Sequence, residues 1–344
     1  MIGTLATAIL VIALLYFARR IFVPLTFALF IIALVWPMQA ALQRRIPKLL
    51  ALLLTLSLTI LVILAVGSLI AWSFSKLVQW LFLNAGRFQA IYLTWTNWLE
   101  EHGIAVVGPI TDRFDVTWLL GFIQNIAGRL NSATGFAALV VVFVMLGLLE
   151  GADFNTRLRL PLAQPYGERI LRANDEIGRK LRRFMVVRTV ASVFTGFIVW
   201  VFALVAGLEL AAAWGAIAFV LNYIPFLGPL VATLFPTLFA IAQFESWQMA
   251  VIVFLGLSVI QFVIGSYLEP LITGASLAIS PFAVVFAVFF GSFMWGLSGA
   301  FLGVPILIVF IIYCAQDPSS RWLAALLSAK PFILAGDDGD LSDR

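Results

Sequence analysis

The chain has 344 residues, 63% of them apolar and 11% charged, with a formal charge of +4 and a mean hydropathy of +1.08. That is too little polar surface to cover a soluble globule of this length. A transmembrane barrel is excluded too, because barrels alternate apolar and polar residues whereas these apolar runs are continuous and of helical length. The class left is an all-α polytopic membrane protein, partnered by the lipid bilayer.

In chain order, Ile2 to Phe17 and Ile21 to about Leu42 are the first two apolar runs, divided by Arg19-Arg20. The start lacks a basic leader and an Ala-x-Ala cleavage site, so the first run is expected to stay as a span. After the basic break at Gln43–Lys48, Leu49 to Trp72 is long enough to cross hydrocarbon about 30 Å thick. These three runs form an N-terminal segment, residues 1–72.

Residues 73–133 regain charge. Phe74, Leu77, Val78, Leu81, Phe88, Ile91, Trp95 and Trp98 recur with helical period, as do Val116, Leu119, Leu120, Ile123, Ile126 and Leu130. With a turn over Gly103–Pro109 and a cap at Asp115, this predicts an extramembrane or interfacial helical hairpin.

A fourth span is expected over residues 134–150. Between Glu150 and Arg188, nine Arg or Lys residues stand against five acids, which places that segment in the cytoplasm. Within 151–185, Ile170, Ile177, Leu181 and Phe184 share a helix face beside Arg179, Lys180, Arg182 and Arg183, a pattern suited to an anionic leaflet. Aromatic groups do not interleave these charges, so nucleic acid is not the expected partner.

Residues 186–315 form the expected transport core. After a fifth span, Val186 to Ala206, two apolar stretches flank Asn222-Tyr223-Ile224-Pro225-Phe226-Leu227-Gly228-Pro229. Helix-breaking residues at membrane depth survive only where the freed backbone is buried in protein or lines a wet cavity. Residues 209–243 are therefore a broken or re-entrant hairpin. Trp247 to Leu268 is a sixth span, and Pro281 to Ala315 is too long for one ordinary crossing. Breaks at Gly296-Leu297-Ser298-Gly299 and Gly303-Val304-Pro305 make residues 281–315 a second such hairpin. A span followed by a broken hairpin occurs twice, with opposed orientations, as in an inverted repeat around a substrate site. Residues 316–344 are a polar cytoplasmic tail with a short amphipathic helix and an acidic end. Counting crossings puts both termini in the cytoplasm, although Arg19 and Arg20 then fall outside, against the charge rule.

The expected substrate-binding residues are Asn222, Pro225, Gly228, Pro229, Glu269, Pro270, Ser298 and Gly299. Pro225 and Pro229 lack donors and Gly228 permits close approach or positive φ, so carbonyls near the tip are expected to stand open to a cation or polar solute. Asn222 adds an amide that donates and accepts. Glu269, before Pro270, could hold a cation or proton. Arg188 is expected to snorkel to the headgroups, and Thr195 and Gln261 to bridge helices. Gly147 with Gly151, and Gly299 with Gly303, read as helix-packing pairs.

Enzymes are disfavoured. Gly296-Leu297-Ser298-Gly299 has the form of an intramembrane serine protease motif, but the one histidine, His102, lies in the polar hairpin, and a serine needs a base. His102 and the one cysteine, Cys314, make no metal or cofactor cluster, so none of either is expected. A phosphate-binding loop is absent, so ATP is not the expected driver.

With Asn222–Pro229, Glu269-Pro270-Leu271-Ile272-Thr273-Gly274, Gly303-Val304-Pro305, Pro24 and Val187-Arg188-Thr189, the chain resembles the autoinducer-2 exporter family of bacterial membrane transporters over nearly its whole length. Arg188 stands where that pattern often carries lysine. The resemblance implies an inner-membrane transporter that exports autoinducer-2 in one branch and exchanges sodium or lithium for protons in others. The reading is a homo-oligomeric secondary transporter of a small polar molecule or ion. A monovalent cation/proton antiporter is the alternative, and a non-transporting scaffold a further one.

Overall fold

The computed structural model describes residues 2–84, 86–87, 116–164, 166–273 and 279–329. The helices are α1 (Ile2–Phe17), α2 (Arg19–Gln43), α3 (Lys48–Leu83), α4 (Val116–Leu158), α5 (Tyr166–Val205), α6 (Ala211–Leu221), α7 (Leu227–Phe244), α8 (Trp247–Val263), α9 (Glu269–Thr273), α10 (Pro281–Trp295), α11 (Leu297–Gln316) and α12 (Arg321–Leu327). Among the described residues no strand forms; Ile279 and Ser328 make an isolated antiparallel bridge. Among the described residues seven helical segments are long and apolar enough to cross a membrane: 19–43, 48–83, 134–151, 166–205, 227–244, 247–272 and 297–316. The protein is therefore an all-α, multi-pass membrane protein. The apolar helices α6 and α10 are shorter. Eleven residues in α6 rise about 16 Å, roughly half of the hydrocarbon thickness.

Some expected boundaries are not breaks. The helix α3 runs past Trp72 to Leu83, where the Ser73 hydroxyl donates to the Leu69 carbonyl at 2.8 Å and so stays inside a helix. The helix α4 joins the second periodic segment, from Val116, to the fourth apolar run, and α5 joins the basic segment to the fifth. The expected turn at Gly103–Pro109, the Asp115 cap, His102 and the acidic tail lie outside the described residues.

Between α8 and α9, Ile264–Leu268 forms a π-helical turn. Pro270 has no N–H and its ring crowds the carbonyl four residues back, and widening the preceding turn absorbs that clash. The Glu269 N–H accordingly reaches back five residues, to Ile264.

The chain divides into two compact units. One takes the described residues of 1–59, 139–187 and 271–344; the other takes those of 60–138 and 188–270. In the first unit, α10 and α11 form a hairpin turned at Gly296, whose φ of +65° suits glycine. A β-carbon at Gly299 would overlap the Gly291 carbonyl, and one at Gly303 that of Ala287, so the two backbones touch. In lipid, helices associate through such close packing rather than through a hydrophobic driving force. Gly147 and Gly151 likewise lie under Ile32 and Trp36 of α2, so both expected glycine pairs are packing sites.

The basic part of α5 corrects one expectation. Its face with Ala173, Ile177, Leu181 and Phe184 is buried inside the protein and does not lie on a leaflet. An apolar stripe shows that a face is covered without showing by what. Its arginines also have specific tasks. Pro37 inside α2 deprives the Ala33 carbonyl of its helical donor, and Arg182 Nη1 replaces that donor at 2.9 Å. Arg183 Nη2 donates at 2.7 Å to Ile272, one of the last carbonyls of α9, which have no helical partner.

In the second unit, Trp80, Trp214 and Phe239 form the aromatic centre, with ring centroids 4.1 Å (Trp80–Phe239) and 5.1 Å (Trp214–Phe239) apart. Leu77 and Leu81 of the expected stripe pack against this cluster. Trp80 also donates its indole N–H to the Glu209 carboxylate. Gln243 closes the turn between α5 and α6, accepting from the Glu209 N–H and donating to the Gly207 carbonyl, each at 2.8 Å.

Candidate functional site

The interruption between α6 and α7 covers Asn222 to Phe226, shorter than the expected Asn222–Pro229; Gly228 and Pro229 sit in the first turn of α7. Proline suits that turn because its missing N–H is one a helix start leaves unpaired. The sharp bend falls at Phe226, with φ 63° and ψ −51°. The Leu227 N–H donates to the Pro225 carbonyl at 2.7 Å, which closes a γ-turn around Phe226. A bulky side chain in this region costs about 1–3 kcal/mol, and such strain collects at functional sites. Gly228 does not supply positive φ. Its role is close approach, since a β-carbon there would overlap the Leu221 carbonyl at the end of α6.

Five carbonyls at and beside the tip are not open as expected. Those of Val220, Leu221, Ile224, Pro225 and Phe226 each accept a backbone N–H. The turn folds tightly enough that its own donors reach back. What the tip offers is side chains. Asn222, 3% exposed, donates from Nδ2 to Ser192 Oγ at 3.4 Å, and Tyr223 donates its hydroxyl to Thr189 Oγ1 at 3.0 Å. Both partners lie on α5, where Arg188, Thr189 and Ser192 form a polar ladder at the start of the fifth apolar run.

Two glycines bring this ladder to the tip. A β-carbon on Gly196 would lie 2.8 Å from the Gly215 carbonyl, and one on Gly215 2.7 Å from that of Gly196, so α5 and α6 meet backbone to backbone. One turn before Gly196, Ser192 is thereby within reach of Asn222. Beside this crossing, Val193, Phe197, Trp200, Ala212 and Phe219 help to line an open groove of about 290 Å³ with almost no polar wall, a surface suited to hydrocarbon rather than to a polar solute.

Glu269 completes the ladder. Arg188 Nη1 is 2.6 Å from Glu269 Oε1, with the two side chains 14% and 22% exposed. Arg188 therefore does not snorkel, and Glu269 neither faces open water nor stands as a bare carboxylate. A charge at low dielectric without a partner is costly, and each neutralises the other. Thr195, further along α5, donates to the Ala191 carbonyl of its own helix at 2.9 Å and does not bridge helices. Gln261 Nε2 is buried without a hydrogen-bond partner among the described residues, so no bridge from it is seen either.

Asn222, Pro225, Gly228, Pro229, Glu269 and Pro270 thus fall in one unit. Ser298 and Gly299 belong to the other, in the first turn of α11, where Gly299 serves helix packing. Reading the sequence missed Thr189, Ser192 and Tyr223. Their signal was a pair of hydroxyl residues, Thr189 and Ser192, three apart on one face of an apolar run. Together the ladder offers hydroxyl and amide groups that donate and accept, around an ion pair whose charges cancel.

Comparison with known proteins agrees with this architecture. A family model described as "AI-2E family transporter" matches residues 5–316. The chain is 27% identical over 316 residues to the AI-2 transport protein TqsA of Escherichia coli K12, covering 91% of this chain and 90% of that one. Two further relatives carry names that class them with transport proteins. One, from Haemophilus influenzae, is 24% identical over 334 residues, 94% of each chain. The other, from Bacillus subtilis, is 27% identical over 308 residues, covering 83% of this chain and 84% of its own.

Proposed function

Because the chain belongs to the AI-2E transporter family, we propose that it is a secondary transporter that moves a small, neutral, hydroxylated solute across a bacterial inner membrane, with export of autoinducer-2 as the specific case. The observation that carries this reading is the polar ladder of α5 bonded to the tip of the α6–α7 hairpin, Thr189 to Tyr223 and Ser192 to Asn222, beside the Arg188–Glu269 pair. Hydroxyls and an amide match a solute that both donates and accepts. Since Glu269 is already balanced by Arg188, a bare cation would meet no uncompensated charge there, which favours a neutral solute over cation/proton exchange.

In this reading the solute competes for the Asn222 and Tyr223 hydrogen bonds, and the strained turn at Phe226 lets the hairpin tip shift between two arrangements. The α10–α11 hairpin is its re-entrant counterpart in an inverted repeat, with Ser298 and Gly299 at its turn, both termini are cytoplasmic, and the protein works as a homo-oligomer.

The test is efflux of autoinducer-2 from proteoliposomes, with imposed proton and sodium gradients, for the unaltered protein, Asn222→Leu and Tyr223→Phe. Transport should be saturable; Asn222→Leu should raise KM about tenfold, the usual effect of leaving a buried polar group unpaired, and Tyr223→Phe, whose partner Thr189 is exposed, should raise it by less. Efflux no faster than from empty liposomes rejects autoinducer-2 as cargo. Variants that transport as well as the unaltered protein reject the ladder as the site.

A further inference from the structure

Gln39 of α2 is fully buried, 0% exposed, and neither its amide oxygen nor its amide nitrogen has a hydrogen-bond partner among the described residues. Exchanging the two ends of the amide would not help, since both are unpaired. One turn on, Gln43 Nε2 is likewise buried and unpaired, and residues four apart project from one helix face. Thr55 of α3, in the same unit and also 0% exposed, has an unpaired hydroxyl. Leaving such buried groups unpaired costs about 1–3 kcal/mol each.

We propose that Gln39, with Gln43 beside it, is a binding point for a neutral hydroxyl group. The chemistry selects that class. A carbonyl oxygen and an NH₂ facing the same surroundings require a ligand that donates and accepts together, as a hydroxyl does and a simple ion does not. The buried polar residues of the described chain are Gln, Thr, Ser and Asn, without a buried charge, so an ion at Gln39 would stand uncompensated. The hydroxyl comes from an ordered water, which typically makes about three hydrogen bonds to such groups, or from a sugar-like solute. This site belongs to the first unit and the ladder to the second, and the proposal does not depend on the transport reading.

The full chain, reconstituted in bilayers and isotope-labelled at its glutamine side-chain nitrogens, tests this by water-edited solid-state NMR. The Gln39 signal is identified as the one lost in Gln39→Met. Without solute, polarisation from water should reach Gln39 about as fast as it reaches the exposed Gln248. Transfer reduced about tenfold or more, as for a dry core, overturns the proposal. Adding ribose separates the two sources: a selective loss of transfer at Gln39 assigns the hydroxyl to the sugar, and unchanged transfer assigns it to water. Thermal unfolding gives a second reading. Gln39→Met should lower the unfolding temperature, because a bound partner is lost. A rise would show that the amide was merely unpaired, and would overturn the proposal as well.

Discussion

Arg188 and Glu269 offer the most direct test of how the ladder is held together. Glu269→Gln leaves the guanidinium about seven-eighths buried beside a neutral group, and Arg188→Gln strands the carboxylate in the same way. Removing one partner of a buried pair costs about 3–5 kcal/mol, and the remaining exposure and screening discount that to about 2 kcal/mol here. For a chain of 344 residues that corresponds to a fall of about 3 °C in unfolding temperature. The double variant Arg188→Gln/Glu269→Gln leaves no stranded charge, so it should recover most of that loss. It should not recover autoinducer-2 efflux, because the charges that fix the geometry at Thr189 and Tyr223 are gone. Unfolding in detergent and efflux from proteoliposomes, measured on all four proteins, complete the cycle. If the double variant is as unstable as the sum of the singles, the two residues act independently and the pairing argument fails.

Gly299→Ala should destabilise the chain by about 2 kcal/mol or more, since the new methyl meets the Gly291 backbone, whereas Gly67→Ala meets nothing and should gain about 1 kcal/mol of helix propensity; equal unfolding temperatures would refute the packing account. Phe226→Gly should raise stability by relieving positive φ, and a loss instead would show that the aromatic ring, not the turn, matters. After Cys314→Ser, cysteines placed singly at Asn97 and Asn174 should differ in labelling by a membrane-impermeant thiol reagent on cells with permeabilised outer membranes; equal labelling rejects the topology. The Ser319 hydroxyl, with its amide, holds the Asp317 carboxyl below the ordinary value, so its contribution is present at neutral pH and is lost as pH falls through that lowered value. Ser319→Ala should move the Asp317 titration upward by NMR, and an unmoved titration assigns the shift elsewhere.

The apolar helices and the breaks after α6 and α10 could be read from the chain because length and helix-breaking residues are local properties, although α1, expected as a span, is not among the segments long and apolar enough to cross a membrane. Continuous runs ended by Pro225, Gly228 or Gly296 announce themselves within a few residues. The bends were less legible. Gly228 was expected to allow close approach or positive φ; it serves close approach, and the positive φ falls at Phe226, where tertiary packing overrides the residue's own preference. The site was legible in half. Asn222 and Glu269 stood out as polar groups in apolar surroundings, but their partners lie 30 and 81 residues away, and such pairings leave no periodic trace. The same holds for Trp80 and Glu209, 129 residues apart, and for the arginines of α5, whose charge suggested lipid while their geometry serves carbonyls.

The contact between Arg182 and Ala33 spans 149 residues. A chain emerging from the ribosome makes Pro37, and with it the bereft Ala33 carbonyl, long before Arg182 exists. Until α5 arrives, α2 has an open acceptor at its proline kink, which only a borrowed donor can answer. Completion of α2 is thus deferred until about half of the chain has been made. Fragments that stop short of Arg182 should be recognised as unfinished by membrane proteases, while those that include it should persist.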